Sequence, residues 1–64
     1  MFRVFIAMGW FEYEGGTVIG ASATLEGAKA LVNEEEFPYD SYTIEEHVES
    51  AHVKTYELEM EGWV

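Results

Sequence analysis

Phe2-Arg3-Val4-Phe5-Ile6-Ala7-Met8-Gly9-Trp10-Phe11 reads, with period two, as a strand with two apolar faces. One face carries Phe2, Val4, Ile6, Met8 and Trp10, apolar at every position. The other carries Arg3, Phe5, Ala7, Gly9 and Phe11, apolar at most positions. A run of this length, rich in aromatic and β-branched residues, needs cover on both sides. The rest of a 64-residue chain has to supply that cover.

Such a length bounds one domain, 1–64, near the lower limit for folding alone, because a chain this short buries only about 60% of its unfolded surface. No cysteine is present, which removes disulfides and thiolate metal sites. Support must come from a dense apolar core or from self-association. Aromatic residues make up 16% of the chain, which puts a dense core within reach.

Glu12-Tyr13-Glu14-Gly15-Gly16 follows the first strand, and the Gly pair suits a tight reversal. Thr17-Val18-Ile19-Gly20-Ala21-Ser22 is the second strand of an N-terminal hairpin. Thr24 is an N-cap candidate, and Leu25, Ala28, Leu31 and Val32 form the apolar stripe of a helix over about 25–35. Gly27 weakens its first turn by about 1 kcal/mol relative to Ala. Glu34, Glu35 and Glu36 sit against the negative end of the helix dipole, and Phe37-Pro38 stops the helix. Tyr39-Asp40-Ser41 reads as a turn. Tyr42 to Glu49 then alternates, with Tyr42, Ile44 and Val48 inward, Glu46 the exception among them, and Thr43, Glu45, His47 and Glu49 outward. Val53 to Glu61 alternates again, with Tyr56, Leu58 and Met60 inward and Glu57, Glu59 and Glu61 outward. Gly62-Trp63-Val64 closes the chain with an exposed or swapped aromatic.

The order β-β-α-β-β predicts an α+β fold, a small antiparallel or mixed sheet with one helix packed on one face. The second face of the first strand, with Arg3, Phe5, Ala7, Gly9 and Phe11, is then left bare. A homodimer packing those faces together would cover it.

Thirteen acids stand against three bases, a net charge of -10, and residues 34–64 carry -9 of it. This charge argues against direct contact with nucleic acid or anionic membrane, where Lys and Arg are required. It favours a basic partner. No segment approaches the roughly 18–20 apolar residues of a membrane span, and no signal-peptide layout is present, so the expected location is the cytoplasm.

No catalytic or cofactor motif stands in the chain. His47 and His52, with Glu45 and Glu49, match no zinc signature, and Glu34-Glu35-Glu36 lacks a calcium loop. The carboxylates lie mostly on outward positions, without the burial that acid–base catalysis needs. Binding signals are stronger. Trp10, Phe11 and Tyr13 flank the first turn, and Trp and Tyr are enriched at interface hot spots. Glu57, Glu59 and Glu61 recur about 6.6–6.8 Å apart along one strand face, close to the phosphate spacing of a nucleic-acid strand. With Glu45 and Glu49 alongside, this face could imitate a phosphate backbone; as a solvated edge it would also discourage aggregation.

Phe2-Arg3-Val4-Phe5-Ile6, Glu12 to Gly16, Val18 to Ala28 and Tyr39 to Glu46 together resemble a family of very small bacterial and phage domains of unknown function. That family shows a strand pair, an I-G-hydrophobe-S-S-x-E-x-A helix start and a Y-x-I-x-E final strand. The resemblance spans about residues 2–49 and departs at Gly27 and in the acidic tail after Glu49. It implies the fold and a phage origin, and it carries no catalytic residue across. The expectation is a non-enzymatic, phage-encoded acidic protein that needs no cofactor or metal and modulates a host protein in the host cytoplasm, in its sharpest form as a nucleic-acid mimic. The alternative is a structural or accessory domain that assembles with itself.

Overall fold

The structure, a computed structural model, describes residues 2–35, 39–59 and 62–64. Its elements are β1 (Arg3–Phe11), β2 (Gly15–Ser22), α1 (Leu25–Glu34), β3 (Ser41–Val48), β4 (Ala51–Glu59) and β5 (Gly62–Trp63). The sheet runs β2-β1-β3-β4-β5, and every pairing in it is antiparallel. The α+β class and the β-β-α-β-β order therefore hold, with a two-residue fifth strand added. Glu36, Phe37, Pro38, Met60 and Glu61 lie outside the described residues, so the helix stop at Phe37-Pro38 and the outward place of Glu61 are not reached.

Which face the helix takes is the reverse of the expectation. Phe5, Ala7 and Gly9 are buried, while Val4, Ile6, Met8 and Trp10 stay half-buried. The core joins Phe5 and Ala7 of β1 to Ala28 and Val32 of α1 and Ile44 of β3. The reason is size. A helix brings its own side chains and needs a shallow floor. Ala7, Gly9 and, across the register, Gly20 supply one, and a Cβ on Gly20 would sit 3.1 Å from Leu31 Cδ1. The expected homodimer through Arg3, Phe5, Ala7, Gly9 and Phe11 is thereby corrected, because α1 already packs against that face.

The helix starts as read. Thr24 Oγ1 accepts from the Gly27 N–H at 3.0 Å. Gly27 also has a steric reason, since a Cβ there would run into the Ser22 hydroxyl. At the far end Glu35 is the C-cap, its N–H donating to the Val32 carbonyl at 3.2 Å.

The inward set Tyr42, Ile44 and Glu46 shares a face with Tyr56 and Lys54 of β4. Glu46 is inward because it is paired there. Its Oε2 lies 3.1 Å from Arg3 Nε, and its Oε1 accepts from the Tyr56 hydroxyl at 3.0 Å. Lys54 Nζ sits 4.6 Å from the Tyr56 ring centroid. Trp63 corrects the reading of an exposed or swapped C-terminal aromatic. It is half-buried, packs against the core, and belongs to a strand held to β4 by reciprocal backbone bonds between Glu57 and Val64.

The β3–β4 connection is tighter than expected. Val48 pairs with Ala51, leaving a two-residue turn in which Glu49 (φ 53°) and Ser50 (φ 71°) both occupy the left-handed region. Two-residue turns of this hand favour Asn-Gly, and the left-handed region costs an ordinary residue roughly 1–2 kcal/mol. The double substitution Glu49→Asn with Ser50→Gly is expected to stabilise the fold by about 1 kcal/mol. The expected gain is on the low side because Glu49 Oε1 now accepts from the Phe2 N–H at 2.8 Å, a bond the change removes. A urea midpoint that stays put or falls would show the turn to be unstrained.

Candidate functional site

The face of the sheet turned away from α1 is the candidate site. Cross-strand partners in an antiparallel ladder point the same way, so the register defines this face. Its centre is Val4, Ile6, Met8 and Trp10 of β1. Val18 and Ala21 of β2 lie on one flank, and Thr43, Glu45 and His47 of β3 on the other. Beyond them come His52, Thr55 and Glu57 of β4. Two bulges make this possible. The register shifts opposite Ala7/Met8 and opposite Glu46/His47, leaving Ile19 and Val53 as the extra residues. Ile19 turns onto the core, and Val18 is left 60% exposed on the open face.

The result is one surface with two characters. An apolar stripe along β1 and β2 is bordered by a polar, acidic strip along β3 and β4. Glu45 and Glu57 are diagonal neighbours in the β3–β4 register, a relation that sets Cα atoms about 7–8 Å apart. Glu59, opposite Gly62, continues the outward side of β4 as read. Glu49 does not join the row, because it sits in the turn with its carboxylate on the chain's N-terminal segment. The acidic set is therefore brought together at Glu45, Glu57 and Glu59 and not at Glu49.

The aromatic hairpin is divided. Trp10 lies on the open face, its ring over Gly16, where a Cβ would come within 2.6–2.9 Å of the six-membered ring. Its Nε1–H donates to Thr43 Oγ1 at 2.8 Å. The Gly15-Gly16 pair thus has two jobs: Gly15 takes φ +83° for the turn, and Gly16 leaves a seat for the indole. Phe11 packs on Tyr39 with centroids 4.9 Å apart, and Tyr39 lies over Gly9 on the helix side. Tyr13 sits in the turn and is 91% exposed. Trp10, Phe11 and Tyr13 therefore form no single patch.

His47 and His52 meet as cross-strand partners, as the hairpin reading allowed. Their rings stack with centroids 5.0 Å apart and planes 20° apart. Nitrogen lone pairs lie in the ring planes, so stacked rings do not converge on a common ion. Each has its own polar neighbour instead: His47 Nε2 is 3.1 Å from Glu45 Oε1, and His52 Nε2 is 2.8 Å from Thr55 Oγ1. Among the described residues no group of three or more His, Asp or Glu side chains could hold a metal ion.

On the helix side, the acidity of Tyr56 is displaced. Its hydroxyl donates to Glu46, which raises its pKa. Partial burial and the Glu46 charge add to the rise, and Arg3 opposes it. A raised phenol pKa contributes stability that is fully present below the ordinary phenol range and lost as pH climbs through the raised value. Stability should therefore fall in the alkaline range, and tyrosinate absorbance should show the late titration of Tyr56. That late titration should vanish in Tyr56→Phe and move earlier in Glu46→Gln. An unchanged late step in Tyr56→Phe would assign it elsewhere.

The chain matches no family model, no curated protein and no solved structure. Among the described residues no helix is long and apolar enough to cross a membrane.

Proposed function

We propose that this is a non-enzymatic binding module whose open sheet face engages a partner protein with a basic surface. The observation that carries the reading is the juxtaposition on one face: Val4, Ile6, Met8, Trp10 and Val18 beside Glu45 and Glu57. The complement of such a surface is a segment that is apolar on one edge and rich in Lys or Arg on the other. Apolar contact supplies affinity and the acidic strip supplies steering and register. A chain of net charge -10 adds long-range attraction to a basic partner.

In the fuller form of this proposal the protein is phage-encoded, acts in the host cytoplasm, and alters the activity of a host protein. Nucleic-acid mimicry is its sharpest version, with Glu45, Glu57 and Glu59 in the place of phosphates. The apolar stripe favours a protein-specific contact over a purely electrostatic one. Binding that scales only with charge would leave Met8 and Trp10 without a role.

The test is affinity capture from host lysate on immobilised protein at low and moderate salt. One partner is expected, weakened by moderate salt and lost when Met8→Lys is added to the bait. Retention that falls with salt yet ignores Met8→Lys would reduce the account to charge alone. An empty capture at both salt levels would overturn it.

A further inference from the structure

Residues 15–25, Gly-Gly-Thr-Val-Ile-Gly-Ala-Ser-Ala-Thr-Leu, hold no ionisable side chain. That stretch includes all of β2, and β2 is an edge of the sheet, paired with β1 on one side only. The other edge is β4 over Ala51–Tyr56, which carries Lys54, and beyond it the two-residue β5. An eight-residue edge strand presents backbone N–H and C=O groups that another strand can claim, and proteins usually block this with Lys, Pro or inward charge. β2 has none of these, and the bulge at Ile19 is its one edge-blunting feature. Elsewhere acids are spread over the β1–β2 turn (Glu12, Glu14) at one end of β2, α1 (Glu26, Glu34), β3 (Glu45, Glu46), the β3–β4 turn (Glu49) and β4 (Glu57, Glu59).

We infer that the outer edge of β2 pairs antiparallel with β2 of a second copy of this chain. Charge selects that occupant. Two chains of net charge -10 repel wherever their acidic elements face each other, and the charge-free edge is the approach that keeps those elements apart. Antiparallel pairing of a strand with itself is isologous, so one two-fold axis closes the assembly at a dimer. The two five-stranded sheets become one of ten strands, and the apolar stripes of the open faces meet at Val18, 60% exposed in the single chain. This edge adjoins the proposed partner face, which shares Val18, but lies away from its acidic strip on β3 and β4, and salt moves the two contacts in opposite directions. Screening relieves repulsion between like chains and weakens attraction to a basic partner.

The experiment is sedimentation of the whole chain from micromolar to millimolar concentration, at low salt and at about 1 M, where the screening length is near 3 Å. The expected mass rises from 7.3 kDa to twice that value, with tighter association at high salt. Amide exchange should slow with concentration at Thr17–Ser22 and not in β4. Val18→Glu, at an exposed position, should weaken association about tenfold or more with the circular dichroism spectrum unchanged, a loss of about 1.4 kcal/mol. Ala21→Glu, also exposed, should do the same. A single 7.3 kDa species throughout would overturn the proposal, as would a dimer indifferent to both variants. So would a monomer whose Thr17–Ser22 amides are protected only by an added extended peptide.

Discussion

Ile44→Ala is expected to cost this protein about 3–4 kcal/mol, within the 2–5 kcal/mol typical of removing a buried branched aliphatic side chain. Among the described residues Ile44 is the one large side chain at zero exposure. It sits in the third strand between its register partners Ala7 and Tyr56, under the helix residues Ala28 and Val32. The core around it is small, and Ala7 and Ala28 cannot reach into the space it would leave. A 64-residue domain has roughly 3–10 kcal/mol of stability in all, so the variant should be marginally folded or unfolded at room temperature. In urea, with a slope near 1 kcal/mol/M for so small a chain, the midpoint should fall by about 3 M. Ile44→Val should retain the fold at a cost of about 0.5–1.5 kcal/mol. A drop below about 1 kcal/mol for the alanine variant would mean that the core is centred elsewhere.

Gly9→Val should be nearly as damaging, about 2–3 kcal/mol, although valine is the better strand former. The Tyr39 ring occupies the space above Gly9, so any Cβ there falls inside it. Tyr39 in turn packs on Phe11 at 4.9 Å and meets Tyr42 edge-on at 5.9 Å. Displacing the ring loses both aromatic contacts, worth about 0.5–1.5 kcal/mol each, and adds the strain of overpacking. Against this stands the conformational gain of replacing Gly, about 0.5–1 kcal/mol. A cycle with Tyr39→Ala isolates the effect, because Gly9→Val should be mild or stabilising once the ring is gone. An equal cost in both backgrounds would assign the damage to something other than Tyr39.

Much of the fold was legible where one face of an element is polar. The alternation of Thr43, Glu45 and His47 against Tyr42 and Ile44 gives the third strand its correct orientation, and Glu57 against Tyr56 does the same for the fourth, although Leu58, expected inward, is exposed. The first strand was legible as a strand but not in its orientation, because both faces are apolar and hydrophobicity cannot rank them. Residue size could have done so: Ala7, Gly9 and Gly20 on one side mark the floor a helix can approach. The bulges at Ile19 and Val53 break the period of two for one residue each, too briefly to show as a pattern. They are also what put Val18 and His52 on the open face. Trp63 was misplaced because a two-residue strand has no period to read. Of the candidate site, the acids Glu45, Glu57 and Glu59 were legible as a row. The neighbouring apolar stripe is not legible as a site, since Val4, Ile6, Met8 and Trp10 look like core residues in sequence. Proximity in the chain suggests a single aromatic patch at the hairpin, but alternation sends Trp10 and Phe11 to opposite faces.

On the function proposed above, the open face, and not net charge alone, selects the partner. The most direct measurement compares capture of that partner by two double variants that change the net charge equally. One is Glu45→Lys with Glu57→Lys on the open face, and the other is Glu26→Lys with Glu34→Lys on the helix. Loss of the partner is expected in the first and near wild-type retention in the second. Equal loss in both, or loss in the helix pair alone, would contradict it.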